Sequence, residues 1–282
     1  MGQILSVFRE VFREVFREDS FEIDEKISEK KFYSSKNKKA LLIGINYDKN
    51  NTKCDDLRGC ENDTFRIRRF LIDNLEFKDN QITTLSTDDS TKVNLENEIL
   101  GLADYANSHD DVDLFFHFSG HGASIKGGGE RDGHIEAICP ADYHESGIIL
   151  DEWLKTHFLE ELPFDCRLFC LVDCCHSGTN MNLPYVFDAT TACSIRDPDN
   201  NTCAAEIVKI SGCLDNQVSY DYYENNIQMF NGAMTNAFIT TFDPELDFTS
   251  IISRMTDHLN SQKFNQRPNL TSSHLELINF RL

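Results

Sequence analysis

Two apolar stretches run directly into residues suited to nucleophilic and acid–base chemistry. Residues 112–118 lead into Ser119-Gly-His121-Gly, and residues 168–172 lead into Asp173-Cys174-Cys175-His-Ser-Gly. Cysteine is nucleophilic as the thiolate, and a neighbouring imidazole that takes its proton can later protonate the leaving amine. The glycines beside His121 permit a tight turn, and their N–H groups are suited to hold a developing oxyanion. A histidine roughly 50 residues before the cysteine predicts a catalytic Cys/His pair.

The elements that must position this pair alternate along the chain. Apolar runs predict strands, and apolar residues at helical spacing predict helices. The predicted strands are 40–46, 81–85, 112–118, 135–138, 167–172, 206–211 and 275–280. The predicted helices are 62–75, 94–105, 151–159, 232–241 and 249–263. This alternation predicts an α/β fold with a mostly parallel central sheet flanked by helices on both faces, and chemistry at the carboxyl ends of its strands.

Composition limits the partners and the compartment. The chain has 27 Lys and Arg against 47 Asp and Glu, a formal charge of −20, which is the wrong sign for a protein that mainly binds nucleic acid. Ten cysteines without a signal-peptide pattern indicate thiols in a reducing compartment. No apolar run approaches the roughly 20 residues of a membrane span. We therefore expect a cytoplasmic protein whose partners are not nucleic acids.

The cysteines near the second motif allow two further interpretations, as zinc ligands or as packing residues. A zinc site built from Cys166, Cys170, Cys174 and His176 is possible by residue type, but one strand does not converge its side chains on an ion. Strand alternation instead puts Cys166, Cys170 and Cys174 on one packing face. We therefore expect no zinc, and a buried Cys174 beside a reactive Cys175.

The N-terminus repeats a four-residue unit. Phe8, Phe12 and Phe16 are each preceded by Val and followed by Arg-Glu, which predicts an amphipathic helix. Its apolar stripe packs either on this protein, on a second copy, or on a membrane surface. Gly2 and Ser6 fit a myristoylation pattern, and an acyl chain together with the Phe/Val face would suit peripheral attachment to a membrane through residues 1–18. The residues from Asp19 to about Lys39 are polar and read as a linker before the folded domain.

The two strand-end motifs resemble those of the metacaspases, the caspase-fold cysteine peptidases. The further segments that agree are Arg58-Gly-Cys60-Glu-Asn-Asp63, Cys139-Pro-Ala-Asp142, Ser211-Gly-Cys213-Leu-Asp215-Asn-Gln217, Gly232-Ala-Met234-Thr and Arg267-Pro-Asn-Leu-Thr-Ser-Ser273. The resemblance covers about 38–282. It implies a caspase-like fold, a monomer, and a catalytic dyad of His121 and Cys175.

The resemblance also implies the substrate class. The family cleaves after Arg or Lys, and its acidic specificity pocket matches Cys60, Asp63, Ser119 and Asp173. A basic side chain requires a desolvated carboxylate at the base of such a pocket, and Asp173 lies two residues before Cys175. The plainer reading of Asp63, a residue favoured near a helix N-terminus, is compatible with this role.

A calcium site is a further implication of the resemblance. The matching positions are Glu136, Asp151 or Glu152, and Asn182. This set departs from the family's all-aspartate pattern, because Asn removes a charge and Glu changes the reach by one methylene. We expect activation by calcium with modest affinity.

The chain divides into an N-terminal part (1–37), a large-subunit-like part (38–187), a linker (188–204) and a small-subunit-like part (205–282). Self-cleavage is expected in the two exposed segments, at Arg196, Lys30, Lys31, Lys36 or Lys38. The main alternative to a peptidase is a caspase-fold binding or regulatory module with weak or incidental activity. A third reading is hydrolysis of another acyl or thioester substrate by the same dyad.

Overall fold

The structure, a computed structural model, describes residues 32–47, 56–126, 134–174, 181–188, 193–197, 200, 203–212, 221–224 and 229–282. The strands are β1 (Asn37–Gly44), β2 (Ile82–Leu85), β3 (Val112–Ser119), β4 (Gly122–Lys126), β5 (His134–Ile138), β6 (Ile149–Leu150), β7 (Cys166–Asp173), β8 (Tyr185–Asp188), β9 (Cys193–Arg196), β10 (Glu206–Ser211), β11 (Asp221–Glu224), β12 (Met229–Gly232) and β13 (Asn269–Ser272). The helices are α1 (Cys60–Leu75), α2 (Lys92–Asn107), α3 (Tyr143–Ser146), α4 (Asp151–Leu154), α5 (Ala233–Thr241) and α6 (Phe248–Ser261).

Eight strands form the central sheet, in the order β2-β1-β3-β7-β10-β13-β8-β9. The first five are parallel to their neighbours, while β13, β8 and β9 join by antiparallel pairing. The two smaller sheets are β4-β5-β6 and the hairpin β11-β12. The mostly parallel α/β architecture predicted from the alternating elements is confirmed.

The central strands are apolar on both faces because each face is covered by helices. One face joins Phe116 and Phe118 of β3 to the apolar side of α2. The opposite face joins Phe115 of β3 and Phe169 of β7 to α1, α5 and α6. Two hydrophobic layers therefore clamp β1, β3 and β7 between them, and these strands carry the predicted site at their carboxyl ends.

Side-chain caps fix where two long helices begin. The Thr91 hydroxyl accepts from Asn94 N at 3.4 Å before α2, and the Asp247 carboxylate accepts from Ser250 N at 2.7 Å before α6. Each cap satisfies a backbone donor that the first helical turn leaves open.

Three predicted boundaries need correction. The segment 275–280, predicted as a strand, contains a 3₁₀ helix at Leu275–Asn279, and the strand that pairs in the sheet is β13 just before it. The predicted helix 151–159 is α4 followed by a π-helical turn at Lys155–Leu159. The region 188–204, predicted as a linker, contains β9, which pairs with β8.

The folded domain also begins earlier than predicted. Phe32 and Tyr33 belong to the core, where the Phe32 ring lies 5.4 Å from that of Phe248 and the Tyr33 ring lies 5.4 Å from that of Phe77. Ser35 N donates to the buried Asp113 carboxylate at 2.7 Å. The residues before β1 are therefore part of the domain from at least Phe32.

Within the described residues, no helix is both long and apolar enough to cross a membrane. Gly2 and the repeat at residues 7–18 lie outside the described residues.

Candidate active site

The ends of β3 and β7 meet at one edge of the sheet. Ser119 and Asp173, the last residues of these strands, are register partners. Gly120 N donates to Asp173 O at 3.3 Å, which continues the pairing past the strand ends. The predicted meeting of the two motifs is therefore confirmed for the residues that the structure describes.

His121 lies two residues beyond β3 and is half-buried. Cys139 N donates to His121 O at 3.0 Å, and His121 N donates to the Tyr47 hydroxyl at 3.0 Å. Both polar groups of the His121 backbone are thus held by other segments. Cys175 and His176 lie outside the described residues, so the dyad of His121 and Cys175 stays a prediction.

The oxyanion role predicted for the glycines beside His121 is wrong for Gly120, because its N–H already donates to the Asp173 carbonyl. A side chain at this glycine would also approach the Tyr47 hydroxyl and the Phe118 ring, both within 2.9 Å of an added Cβ. Gly120 therefore serves close packing between the end of β3 and Tyr47.

The cysteines of β7 are packed away from water. Cys166, Cys170 and Cys174 share the apolar face of the sheet that α2 covers. Burial raises the pKa of Cys166 to about 12 and raises the pKa of Cys170 still further, so neither thiol ionises near neutrality. Cys174 is fully buried, as predicted for the neighbour of the reactive cysteine.

The spacing of the cysteines along β7 determines whether they could share a zinc ion. Residues four apart on a strand are separated by roughly 13 Å, too far for side chains of this length to share one ion. In the described part of the chain, no three His, Cys, Asp or Glu residues are grouped so that they could hold a metal.

Two buried carboxylates lie beside the strand ends. Asp63, in the first turn of α1, is fully buried and accepts from the Ser119 hydroxyl at 2.8 Å. Asp173, 4% exposed, accepts from Thr235 N and from the Thr235 hydroxyl, both at 2.9 Å. The structure therefore brings together three of the four predicted substrate-binding residues.

Gly232 joins the two carboxylates. Its N–H donates to the Asp63 carboxylate at 3.0 Å, and a Cβ at this position would collide with carboxylate oxygens of both Asp63 and Asp173. Only glycine permits this close approach, because any side chain would occupy the space between the acids. The sequence contained Gly232 and Thr235 in a segment shared with metacaspases, but nothing in their types indicated that they hold the carboxylates.

Burial, followed by the proximity of Asp173, raises the pKa of Asp63 well above its ordinary value. Hydrogen bonds from Ser119 and Gly232 oppose this shift because they favour the charged form. Two desolvated acids of like charge are stabilised by a cation between them, or by a proton that one of them retains. The cluster is therefore suited to bind a cationic group.

Cys60, the fourth predicted pocket residue, is the first residue of α1 and is 5% exposed. It lies one helical turn before Asp63, on the same side of the helix. Its N–H donates to the Asn46 side-chain oxygen at 3.1 Å, which ties the start of α1 to the segment after β1. Cys60 thus borders the cluster, and its backbone anchors the helix that carries Asp63.

Tyr47 is a residue of this site that the sequence did not single out. It is 2% exposed, and its ring centroid lies 4.5 Å from that of His121. Its hydroxyl donates to Cys139 O at 2.6 Å. No sequence signal distinguished it, since a tyrosine shortly after an apolar strand is equally typical of simple packing.

The predicted calcium ligands are only partly brought together. Asp151, at the start of α4, is fully buried, and its carboxylate accepts from the Asn182 amide at 3.1 Å and from Glu152 N at 2.8 Å. The Glu152 side chain is exposed, so Asp151 is the better candidate of the two. Glu136 is buried on β5, which packs against α4. These oxygens suit calcium chemically, but in the described residues they do not amount to a group of three acids.

The predicted self-cleavage residues differ in access. Lys36 and Arg196 are exposed, and Arg196 ends β9 at the edge of the sheet. The predicted exposure of Lys38 needs correction, because this residue is 6% exposed within β1 and its ammonium donates to Leu75 O at 2.8 Å. Its side chain and backbone are therefore held in the core. Lys30 and Lys31 lie outside the described residues.

Comparison with known proteins places these features in a family. Residues 38–184 match the family model "Metacaspase, peptidase C14 domain". The chain is 32% identical to Metacaspase-1 of Yarrowia lipolytica over 86% of its length and 63% of that protein, so it spans less than two thirds of this relative. It is 33% identical to Metacaspase-1 of Mycosarcoma maydis over 84% of its length and 70% of that protein.

A solved structure supports the fold. The crystal structure of a protein from Geobacter sulfurreducens superposes with a TM-score of 0.61 at 21% identity, covering 87% of this chain and 97% of that one. The architecture is that of a caspase-like α/β fold. The chain belongs to the metacaspase family, whose members are cysteine-type peptidases.

Proposed function

We propose that this protein is a cysteine endopeptidase that cleaves after Arg or Lys through His121 and Cys175. The observation that carries the proposal is the buried cluster of Asp63, Asp173 and Ser119 at the edge where the two motif-bearing strands end. A guanidinium or ammonium group between these acids would exchange its hydration for charged hydrogen bonds. The family of the chain supports the cysteine chemistry.

In this mechanism His121 takes the proton of Cys175, and the thiolate attacks the carbonyl carbon of the scissile bond. The His121 imidazolium then gives its proton to the leaving amine, and water hydrolyses the acyl-enzyme. Asp173 contributes by its position at the end of β7, because the same segment carries the nucleophile two residues later. Binding of the basic side chain thereby aligns the scissile bond with Cys175.

The experiment that tests the dyad compares two neighbouring cysteines. Cys175→Ala should lower the kcat for an Arg peptide by several orders of magnitude, because it removes the nucleophile. Cys174→Ala should retain most activity, since this side chain packs in the apolar face. Wild-type protein should also cleave peptides with Arg or Lys before the scissile bond, and not those with Asp or Leu. Equal cleavage of all four peptides, or loss of activity only in Cys174→Ala, would refute the assignment.

We also propose that calcium raises this activity by binding near Asp151 and Asn182, with Glu136 nearby. Support comes from the buried Asp151 carboxylate and its contact with the Asn182 amide. When bound, the ion would supply positive charge that orders the segments carrying these residues. Because Asn182 contributes no charge, the affinity should be weak, in about the high-micromolar to millimolar range of low-affinity calcium modules.

Asn182→Asp tests the calcium proposal because it adds one negative charge without changing the reach of the side chain. Activity against calcium concentration should shift to lower calcium in this variant. The exposed Glu152→Gln is the matched control and should leave the curve in place. Full activity in chelator for wild type and for Asn182→Asp would show that these residues do not regulate the enzyme.

Self-processing is the remaining part of the proposal, supported by the exposure of Lys36 and Arg196. The monomeric state and attachment to a membrane through residues 1–18 stay predictions from the sequence.

A further inference from the structure

Tyr47 closes a ring of hydrogen bonds around the backbone of His121. The Tyr47 hydroxyl donates to Cys139 O at 2.6 Å, Cys139 N donates to His121 O at 3.0 Å, and His121 N donates to the Tyr47 hydroxyl at 3.0 Å. These residues follow β1, β3 and β5, so one phenol joins three segments at the same edge of the sheet.

The ring of Tyr47 supports the side chain of the same histidine. The two ring centroids are 4.5 Å apart, with an angle of 34° between the planes. A tilted ring contact at this distance limits the positions that the imidazole can occupy. The phenol therefore constrains both the backbone and the side chain of His121.

The position of Tyr47 requires an unusual backbone conformation at Tyr47 itself and the absence of a side chain at Gly120. Tyr47 has a φ of 61°, in the left-handed region that a bulky side chain rarely adopts. Gly120 must lack a side chain, because a Cβ there would lie 2.9 Å from the Tyr47 hydroxyl oxygen. Backbone conformations of this kind persist where the surrounding structure holds them in place, and they cluster at functional sites.

The hydroxyl is suited to both of its roles. Burial, followed by the proximity of Cys139, raises the pKa of Tyr47 well above its ordinary value, so the phenol stays protonated at neutral pH. A protonated hydroxyl donates one hydrogen bond and accepts another. Phenylalanine would retain the ring contact with His121 but would remove the hydroxyl from His121 N and Cys139 O.

We propose that Tyr47 is a positioning residue that sets the orientation of the His121 imidazole for proton transfer with Cys175. The inference rests on the proposed function in one respect, the role of His121 as the base. A displacement of about 1 Å in a catalytic group can lower a rate by about 100-fold, so loss of one anchor of His121 should act mainly on kcat.

The test separates the hydroxyl from the ring. Tyr47→Phe should lower kcat for an Arg peptide by about 10-fold with little change in KM, because the substrate pocket is untouched. Tyr47→Leu, which also removes the aromatic ring, should lower kcat further. The matched control is Tyr105→Phe on α2, outside the site. The Tyr105 ring stacks on the ring of His109, with 4.2 Å between the ring centroids, and this variant should keep the wild-type kcat.

A second readout does not require a peptide. The rate of alkylation of Cys175 by iodoacetamide, resolved by mass spectrometry, reports how well His121 promotes the thiolate. Tyr47→Phe should slow this reaction, and His121→Ala should slow it more. Thermal unfolding of each variant gives the folded fraction, to which both rates are normalised.

Wild-type kcat and alkylation rates in Tyr47→Phe and Tyr47→Leu would overturn the inference, as would losses that only match the loss of folded protein. If wild-type protein cleaves no basic peptide while alkylation of Cys175 still depends on His121 and Tyr47, the proposed specificity fails and the positioning role stands. If alkylation does not depend on His121, the proposed dyad fails, and the positioning role fails with it.

Discussion

Asp63 is the residue at which electrostatics and the proposed specificity are most closely linked. Burial and Asp173 raise the pKa of its carboxyl group, so acidification neutralises Asp63 at a higher pH than an ordinary aspartate. A neutral Asp63 holds a cationic side chain poorly. The value of kcat/KM for an Arg peptide should therefore fall as the pH drops through this raised pKa. A bound cation favours the carboxylate, so kcat should depend less on pH over the same range.

Asp63→Asn removes the titrating group while keeping its shape. KM for the Arg peptide should rise by about 100-fold, since a buried cation loses one of its partners. The part of the fall in kcat/KM at low pH that is due to Asp63 should disappear. Asp79→Asn, which removes an exposed ion pair with Arg68, is the matched control and should leave both parameters unchanged. If Asp63→Asn leaves both KM and the fall of kcat/KM at low pH unchanged, Asp63 does not bind the substrate.

The resemblance to metacaspases identified the acids of this site but not the groups that hold them. Asp63 and Asp173 match positions of the family's acidic specificity pocket, and this match made them candidates. Gly232 and Thr235 act through a missing Cβ, a backbone N–H and one hydroxyl, which many glycines and threonines offer. Their function depends on α5 beginning where α1 and β7 meet, and this long-range arrangement leaves no local pattern in the sequence.

Strand β3 carries a buried histidine in its middle, and this histidine makes the stability of the fold depend on pH. His117 is fully buried in its middle, and its Nδ1 donates to Leu171 O at 2.9 Å across to β7. Burial lowers the pKa of His117 to about 4, against an ordinary value of 6.5. The unfolded chain therefore binds a proton between these two values while the folded chain does not.

The sign of this difference predicts acid sensitivity. As the pH falls from about 6.5 to about 4, protonation favours the unfolded state, and His117 alone should remove about 3 kcal/mol from the free energy of unfolding. His117→Asn, which keeps a donor but does not titrate, should show a flatter dependence of unfolding on pH in urea titrations. His109→Asn, at an exposed position just after the end of α2, is the control. Parallel pH profiles for His117→Asn and wild type would contradict this account.

The elements that the sequence predicted well are those buried on both faces. β1, β3 and β7 are continuous apolar runs because helices cover both sides of the sheet. β13 was missed because its residues Asn269–Ser272 are mostly polar, and it is a strand through its pairing with β10 and β8. The following Leu275–Asn279 has more apolar side chains but forms a 3₁₀ helix, since its residues pack on the core without a strand partner. Tertiary pairing decided both cases.

At the scale of the whole molecule, the two predicted parts of the chain share one sheet. β10 and β13, from the part after residue 204, lie between β7 and β8, which both begin in the part before residue 188. The N-terminal side of the domain is fixed in a similar way, since Phe32 packs on Phe248 and Phe280 from the far end of the chain. A boundary drawn from composition therefore marks a position in the chain, not a division of the core.

This arrangement limits where self-processing can occur. Cleavage needs an exposed segment that can enter an active site. Lys36 and Arg196 have exposed side chains. Lys38 instead is held within β1 by the ladder with β3, where it pairs with Asp113, and by the hydrogen bond of its ammonium to Leu75 O. Mass spectrometry of active wild-type protein should find new ends after Arg196 or Lys36 and none after Lys38. Arg196→Gln should abolish only the first product. Identical intact masses in wild type and Cys175→Ala, or an end after Lys38, would contradict this prediction.

The shared sheet also predicts how the protein behaves after a cut at Arg196. The two fragments would remain joined by the parallel ladder of β10 with β7 and the antiparallel ladder of β13 with β8. They would also share the layer in which Phe169 of β7 stacks on Phe238 of α5 and Phe248 of α6. Separating them would expose this buried apolar surface, at roughly 25 cal/mol per Å². The cut protein should therefore elute as one species with the intact mass in gel filtration, and resolve into two chains only in denaturant. Fragments that separate in native buffer would show that these ladders do not hold the domain together.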